Sequence, residues 1–211
     1  MRTIHLIPAL LVLLLVLPAM AVAHAVAGAK TPAPNAVLTA VPPIARVVFS
    51  EPVRGTADAL VVVAADGTRV SGPAVISGRT LSAPVTGTAP GRYAYAYTVE
   101  SLDGHVITAG FAFAVRTTTP SAESASIDFG RHRAHLSGAR AGLRTLRLWA
   151  SAKEGTVRWT SPLLAAPFVW TIRGGAASGL LPFAGPYTVE ARVRTGTFSE
   201  LTTTTTITIA P

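Results

Sequence analysis

The stretch Gly91–Glu100, GRYAYAYTVE, alternates strictly: Tyr93, Tyr95, Tyr97 and Val99 fall on one side, Ala94, Ala96, Thr98 and Glu100 on the other. Successive side chains of an extended chain point to opposite faces, so a period of two specifies a strand with one aromatic and one small-residue face. The pattern recurs along the chain. RVVFS (46–50), ALVVVAADGTRV (59–70) and GFAFAVR (110–116) are strand-like runs bounded by Gly, Pro or Asp-Gly signals. Asp66-Gly67 is the signature of a tight hairpin turn. No run combines a helical apolar stripe with capping residues. The chain is expected to be all-β.

Residues 117–126, TTTPSAESAS, offer little to bury and read as a linker. Beyond them LRTLRLWA, TVRWT and FVWTI resume the strand pattern, and YTVEARVR (187–194) alternates cleanly. LTTTTTITI is β-branched and suits a last edge strand. Trp149, Trp159 and Trp170 are expected to be packing residues. RHRAH (131–135) reads as a solvated, arginine-rich loop; its His132 and His135 would align on a helix and diverge on a strand. Each half has about the size of one small sandwich. The expected organisation is a leader over 1–23, a β domain over 24–117, a linker over 118–126 and a second immunoglobulin-like β domain over 127–211.

The leader follows from the opening residues. Arg2 precedes the apolar LIPALLVLLLVL, and PAMAVAHA follows with an Ala-x-Ala site. These are the parts of a secretory signal peptide, cut after Ala23 to leave His24 first. Export is therefore expected, to the periplasm or the outer face of the cell envelope. The 211-residue chain contains no cysteine, which excludes a disulfide framework and thiolate metal sites. Met1 and Met20 are its only methionines and lie in the leader, so any metal site in the remainder must use N and O donors. The formal net charge of +8 falls by one with Arg2. The arginines are scattered through both halves, often at alternate strand positions such as Arg192 and Arg194, and read as solvated faces with no nucleic-acid site.

Chemistry gathers in SLDGHVITAG (101–110). If LDGHV is extended, Asp103 and His105 project to the same side, with Gly104 leaving room between them. A carboxylate beside an imidazole can be a hydrogen-bonded pair or two adjacent metal ligands. His24 adds to it. Once freed by cleavage, its α-amine and ring Nδ1 can chelate one ion, and His105 adds a third nitrogen and Asp103 an oxygen. Nitrogen and oxygen donors without sulfur suit Cu(II).

The segment from His24 to Arg116 resembles the CopC family of periplasmic copper-resistance proteins. The matching pieces are the start HA, then TPAPNAVLTAVPPIARVVFSEPV, DGTRV and GRYAYAYTVESLDGHVITAGFAFAV. Members share a His-Ala start, a Ser/Thr-Pro turn, an FsEPV strand end and a closing S.DGH..G.F.F.V, in this order. The resemblance implies a small Greek-key β-barrel or sandwich. It also implies Cu(II) held by His24 through amine and imidazole, by His105, and by Asp103 as a weaker or axial donor. Glu51 matches an auxiliary acid that would orient a ligating imidazole. The implied partner is a CopD-like inner-membrane copper importer. Two departures stand out: Val106 replaces the usual proline, and the Met-rich Cu(I) site of some members cannot form. GPYTVEARVRTGTFSELTTTTTITI weakly resembles the end of the extracytoplasmic domain in CopC–CopD fusions.

The expected function is an exported Cu(II)-binding protein that sequesters or delivers copper, with no catalytic step. Two alternatives stand beside it. A histidine-brace monooxygenase would use the same amine and imidazoles to activate oxygen, but needs a substrate face that is not evident near these motifs. A metal-independent β-sandwich interaction module would use the Asp-Gly-His only as a turn. No Gly-x-Ser-x-Gly elbow, phosphate loop or dinucleotide fingerprint occurs.

Overall fold

The computed structural model describes residues 24–87, 89–116, 124–137 and 142–210. The leader expected over 1–23 lies outside the described residues, as do 117–123 of the expected linker. Every regular element among the described residues is a strand. The first half holds β1 (Ala27–Thr31), β2 (Val37–Leu38), β3 (Ile44–Phe49), β4 (Val53–Arg54), β5 (Leu60–Ala64), β6 (Val75–Ser77), β7 (Thr80–Pro84), β8 (Gly91–Ser101) and β9 (Val106–Val115). The second holds β10 (Ser124–Phe129), β11 (His132–Ser137), β12 (Gly142–Arg147), β13 (Glu154–Thr160), β14 (Phe168–Arg173), β15 (Ala176–Leu181), β16 (Gly185–Arg194) and β17 (Glu200–Ile209). β10 thus begins inside the stretch read as linker.

The first half is an open sandwich and not a closed barrel. One sheet runs β1-β3-β7-β6; the other sets β2 and β8 on either side of β9, with β4 and β5 on the far edge of β8. Alternation explains what lies between them. Ala45, Val47, Phe49, Leu81 and Ala83 face Leu60, Val62, Phe113 and the three tyrosines, all nearly or fully buried. The aromatic face of β8 is locked by ring contacts: Tyr93 stacks on Phe113 at 5.2 Å and Phe49 meets Tyr97 edge-on at 5.4 Å. Each such buried side chain contributes roughly 1.5–3 kcal/mol of apolar transfer. The Tyr95 hydroxyl donates to the Pro32 carbonyl at 2.8 Å, and burial raises the Tyr95 phenol and pushes Tyr97 up to about 12. Asp66-Gly67 forms the expected turn, with Gly67 at φ 86° and Asp66 Oδ1 accepting from Thr68 N at 2.9 Å.

In the second half the path is β10-β11-β12-β15-β14-β13-β16-β17. β14 and β15 share only the pair Arg173↔Ala176 and then part, so the sheet folds over into two layers open at one end. Trp159, Tyr187, Phe183 and Leu181 fill the space between the layers, with Trp159 and Trp170 packed at 4.7 Å. RHRAH is not a loop. Gly130 at φ 67° turns the chain and β11 begins at His132, because Ala134 and Leu136 alternate inward. His132 instead stacks on the half-buried Trp149 at 4.5 Å. The threonine-rich end forms β17, paired with β16 along all ten of its residues.

The small-residue face of β8 and β9 fills the open end. Ala94, Ala96, Ala112 and Ala114 are buried in the same cluster as Trp159, Phe168 and Leu180. Where β14 and β15 have parted, their free backbone groups meet the first half. Gly110 N donates to the Pro167 carbonyl at 3.1 Å, and Leu180 N donates to Asn35 Oδ1 at 2.7 Å. Gly110 must be glycine here, since a Cβ would sit 2.8 Å from the Ala166 carbonyl oxygen. Gly110→Val should therefore lower stability by about 1–3 kcal/mol through overpacking. A urea denaturation midpoint unchanged from the parent would mean that the halves do not press together at this point.

Candidate metal centre

The β8–β9 hairpin carries the candidate site at its tip. Between the strands, Leu102–His105 makes a tight turn in which Gly104 takes φ 85°, a conformation that favours glycine. Ser101 N donates to the His105 carbonyl at 2.9 Å and Gly104 N to the Ser101 carbonyl at 3.0 Å. Asp103 and His105 meet here through that turn, rather than as alternate residues of an extended strand. The register above it is continuous from Glu100↔Val106 to Gly91↔Val115, so the turn rests on a long rigid ribbon.

His24 reaches the same point from the other end of the first half. Ala25 is buried in the first core, while Val26 N donates to Ser50 Oγ at 2.8 Å and Ser50 N to the Val26 carbonyl at 2.9 Å. These contacts fix residues 24–26 against the end of β3. The ligand atoms of His24, Asp103 and His105 consequently lie within 4.8 Å of one another. Asp103 Oδ2 faces both rings, hydrogen-bonded to His24 Nδ1 and 3.4 Å from His105 Nδ1. The ring centroids of the two histidines are 4.1 Å apart.

Asp103 is the hub. Its side chain is only 10% exposed, against 58% for His24 and 64% for His105. Its other oxygen, Oδ1, accepts from the Ser101 hydroxyl and from His105 N at 3.3 Å. The Ser101 hydroxyl above all, and then His24 and the His105 amide, hold the carboxyl well below the usual carboxylate range, against a contrary pull from desolvation. The arrangement is thus a fixed anion with two solvent-facing imidazoles beside it. It can take a cation of N/O preference or share a proton.

Of the four residues singled out in the sequence, three converge. Glu51 does not join them: it is half-buried beside Ser50, and its Oε1 is buried with no hydrogen-bond partner among the described residues. Ser101 was not foreseen. It is 1% exposed and is the strongest influence on Asp103. A hydroxyl two residues before an Asp-Gly is the available signal, because such a side chain can close a turn on its neighbour.

A model of the CopC domain matches residues 28–116. No curated protein shows significant similarity to the chain. Among solved structures, CopC from Methylosinus trichosporium OB3b is 20% identical, covering 46% of this chain and 99% of its own at a TM-score of 0.40. A two-domain fibronectin type-III segment of chicken tenascin is 14% identical over 83% of this chain and 98% of its own, at a TM-score of 0.27. Fibronectin(III)-like modules of Clostridium thermocellum CbhA are 13% identical over 89% and 94%, at 0.29. The matched stretch holds the long β8–β9 ribbon, its Asp-Gly-His turn and the β3 end against which His24 is fixed. Residues 28–116 of this chain are matched as a CopC domain.

Proposed function

We propose that the protein binds Cu(II) outside the cytoplasm and holds or delivers it, copper being cargo and not a reactant. One observation carries this reading: His24 and the Asp103–His105 turn, separated by most of the first half in sequence, bring two imidazoles and a carboxylate within 4.8 Å. The donor set supports copper in its oxidised state. Residues 24–211 contain no sulfur, and nitrogen with oxygen is the pairing Cu(II) takes. Cleavage after Ala23 would free the α-amine of His24 as a further nitrogen. The domain boundaries at 117 and 127, the export signal and delivery to a CopD-like membrane importer belong to the same proposal.

A carrier fits better than an oxygen-activating enzyme. Asp103 Oδ2 faces Nδ1 of both histidines, so a bound ion would have a carboxylate beside the two imidazoles where an oxygen-activating centre needs an open position. The rim of the site is aliphatic and exposed, with Val26, Leu102 and Val106 each more than half accessible, and among the described residues no exposed aromatic platform for a polymer lies on it.

The test is a one-equivalent Cu(II) titration of the chain beginning at His24, read by EPR. A single type-2 signal with nitrogen coupling is expected. One extra residue before His24, or His105→Ala, should weaken binding by orders of magnitude; unchanged affinity in either variant would remove the site. Binding releases protons from the amine and imidazoles, so affinity should fall as the pH is lowered. Asp103 is already ionised and adds nothing to that competition. Ser101→Ala removes the largest cause of its depressed pKa, so the Asp103 carboxyl should titrate at higher pH in the metal-free chain, as followed by carboxyl carbon NMR. An unmoved titration would show that Ser101 does not hold it.

A further inference from the structure

Among the described residues, the charged turns of the second half lie at one end. Alternate turns of β10–β17 fall on the same side of the sheet, and four described connections lie there: 130–131, 148–153, 174–175 and 195–199. The first brings exposed Arg131 and Arg133, the second Arg147 and Lys153. Arg173 enters the third, and Arg192 and Arg194 lead into the fourth. The acids within reach are Asp128, Glu154 and Glu200, fewer than the cations, and each is paired to one arginine at 3.0–3.6 Å. The described turns at the opposite end, 161–167 and 182–184, contain no charged residue and face the first half.

At the tip of the longest hairpin on the basic side stands Phe198, 99% exposed. Its loop is closed by Thr195 N donating to the Ser199 carbonyl at 3.0 Å, which holds the five-residue turn shut behind the ring. The other large exposed hydrophobic residues among those described reach at most 68%. A bare aromatic ring in water is costly, and here it shares its side of the sheet with the exposed cations at the strand ends. An apolar tip on a side with more arginine and lysine than acid is complementary to an anionic lipid surface, where the ring enters the acyl boundary and the cations meet phosphates. A soluble polyanion would use the cations and leave the ring unexplained.

We propose that this end of the second half docks the protein on an anionic lipid surface, with Phe198 as the inserted residue. The inference stands apart from the copper reading and gives residues 124–210 a role. The register sets the geometry. β9 meets β14 in parallel at the single pair Gly110↔Phe168, with the Asp103–His105 turn five or more residues before that point along β9 and Arg173 five residues after it along β14. The metal centre would stand roughly 30 Å from the docked end, on a rise of about 3.3 Å per residue.

Sedimentation with vesicles of phosphatidylglycerol and phosphatidylcholine, against phosphatidylcholine alone, tests it. The chain beginning at His24 should sediment with the mixed vesicles only, and less at high salt. Phe198→Ser, and Arg192→Gln with Arg194→Gln, should each lower partitioning by about five-fold or more. Arg46→Gln with Arg79→Gln, two exposed cations of the first half, should leave it unchanged. Phe198 touches no core, so a melting curve equal to the parent's separates lost docking from lost folding. Equal sedimentation of Phe198→Ser, equal loss in the first-half control, or no sedimentation of the parent overturns the proposal.

Discussion

Everything in this molecule hangs on the strand β8, whose two faces serve two different cores. Its tyrosines and Val99 complete the first sandwich. Its alanines, with those of β9, enter the cleft where β14 and β15 separate. Small side chains are what make the second contact possible, because only they let two sheets approach where backbone amides must also find partners. Gly110 and Asn35 supply those partners, one by its own N–H and one by its side-chain oxygen. Without the β8–β9 ribbon the open end of the second half would expose apolar surface and unpaired backbone together.

The candidate metal centre uses the same ribbon as a base. Its turn is closed by backbone bonds within Ser101–His105 and by Ser101 beneath the carboxylate, so Asp103 is positioned before any ligand arrives. The two imidazoles are left accessible beside it. Such preorganisation reduces what a bound ion must order, while exposure leaves a path for handing it on.

Strand identity and faces were legible in the alternation of GRYAYAYTVE and YTVEARVR, and the Asp-Gly turns in their own residues. The pairing of His24 with Asp103 and His105 was legible as a donor set once cleavage frees His24, and the family resemblance sharpened it, since nothing local links positions so far apart. What covers a face was not. Alternation shows that Ala94 and Ala96 share a side, but an alanine face reads equally as solvent or interface. RHRAH was misread because its charges masked the inward Ala134 and Leu136. The arginines are spread through both halves, and the gathering of several of them at one end of the second half was not legible because up-and-down topology, invisible in a linear reading, brings alternate turns together.

The shared β8–β9 ribbon has one further consequence. An ion seated at the hairpin tip stabilises the folded ribbon over its unfolded form by mass action. That ribbon is also the wedge that closes the second half, so part of the binding free energy is felt by strands that never touch the ion. Loading at one end of the molecule would thereby make the other end harder to open, and occupancy of the site would become legible to any process that samples partially unfolded chains.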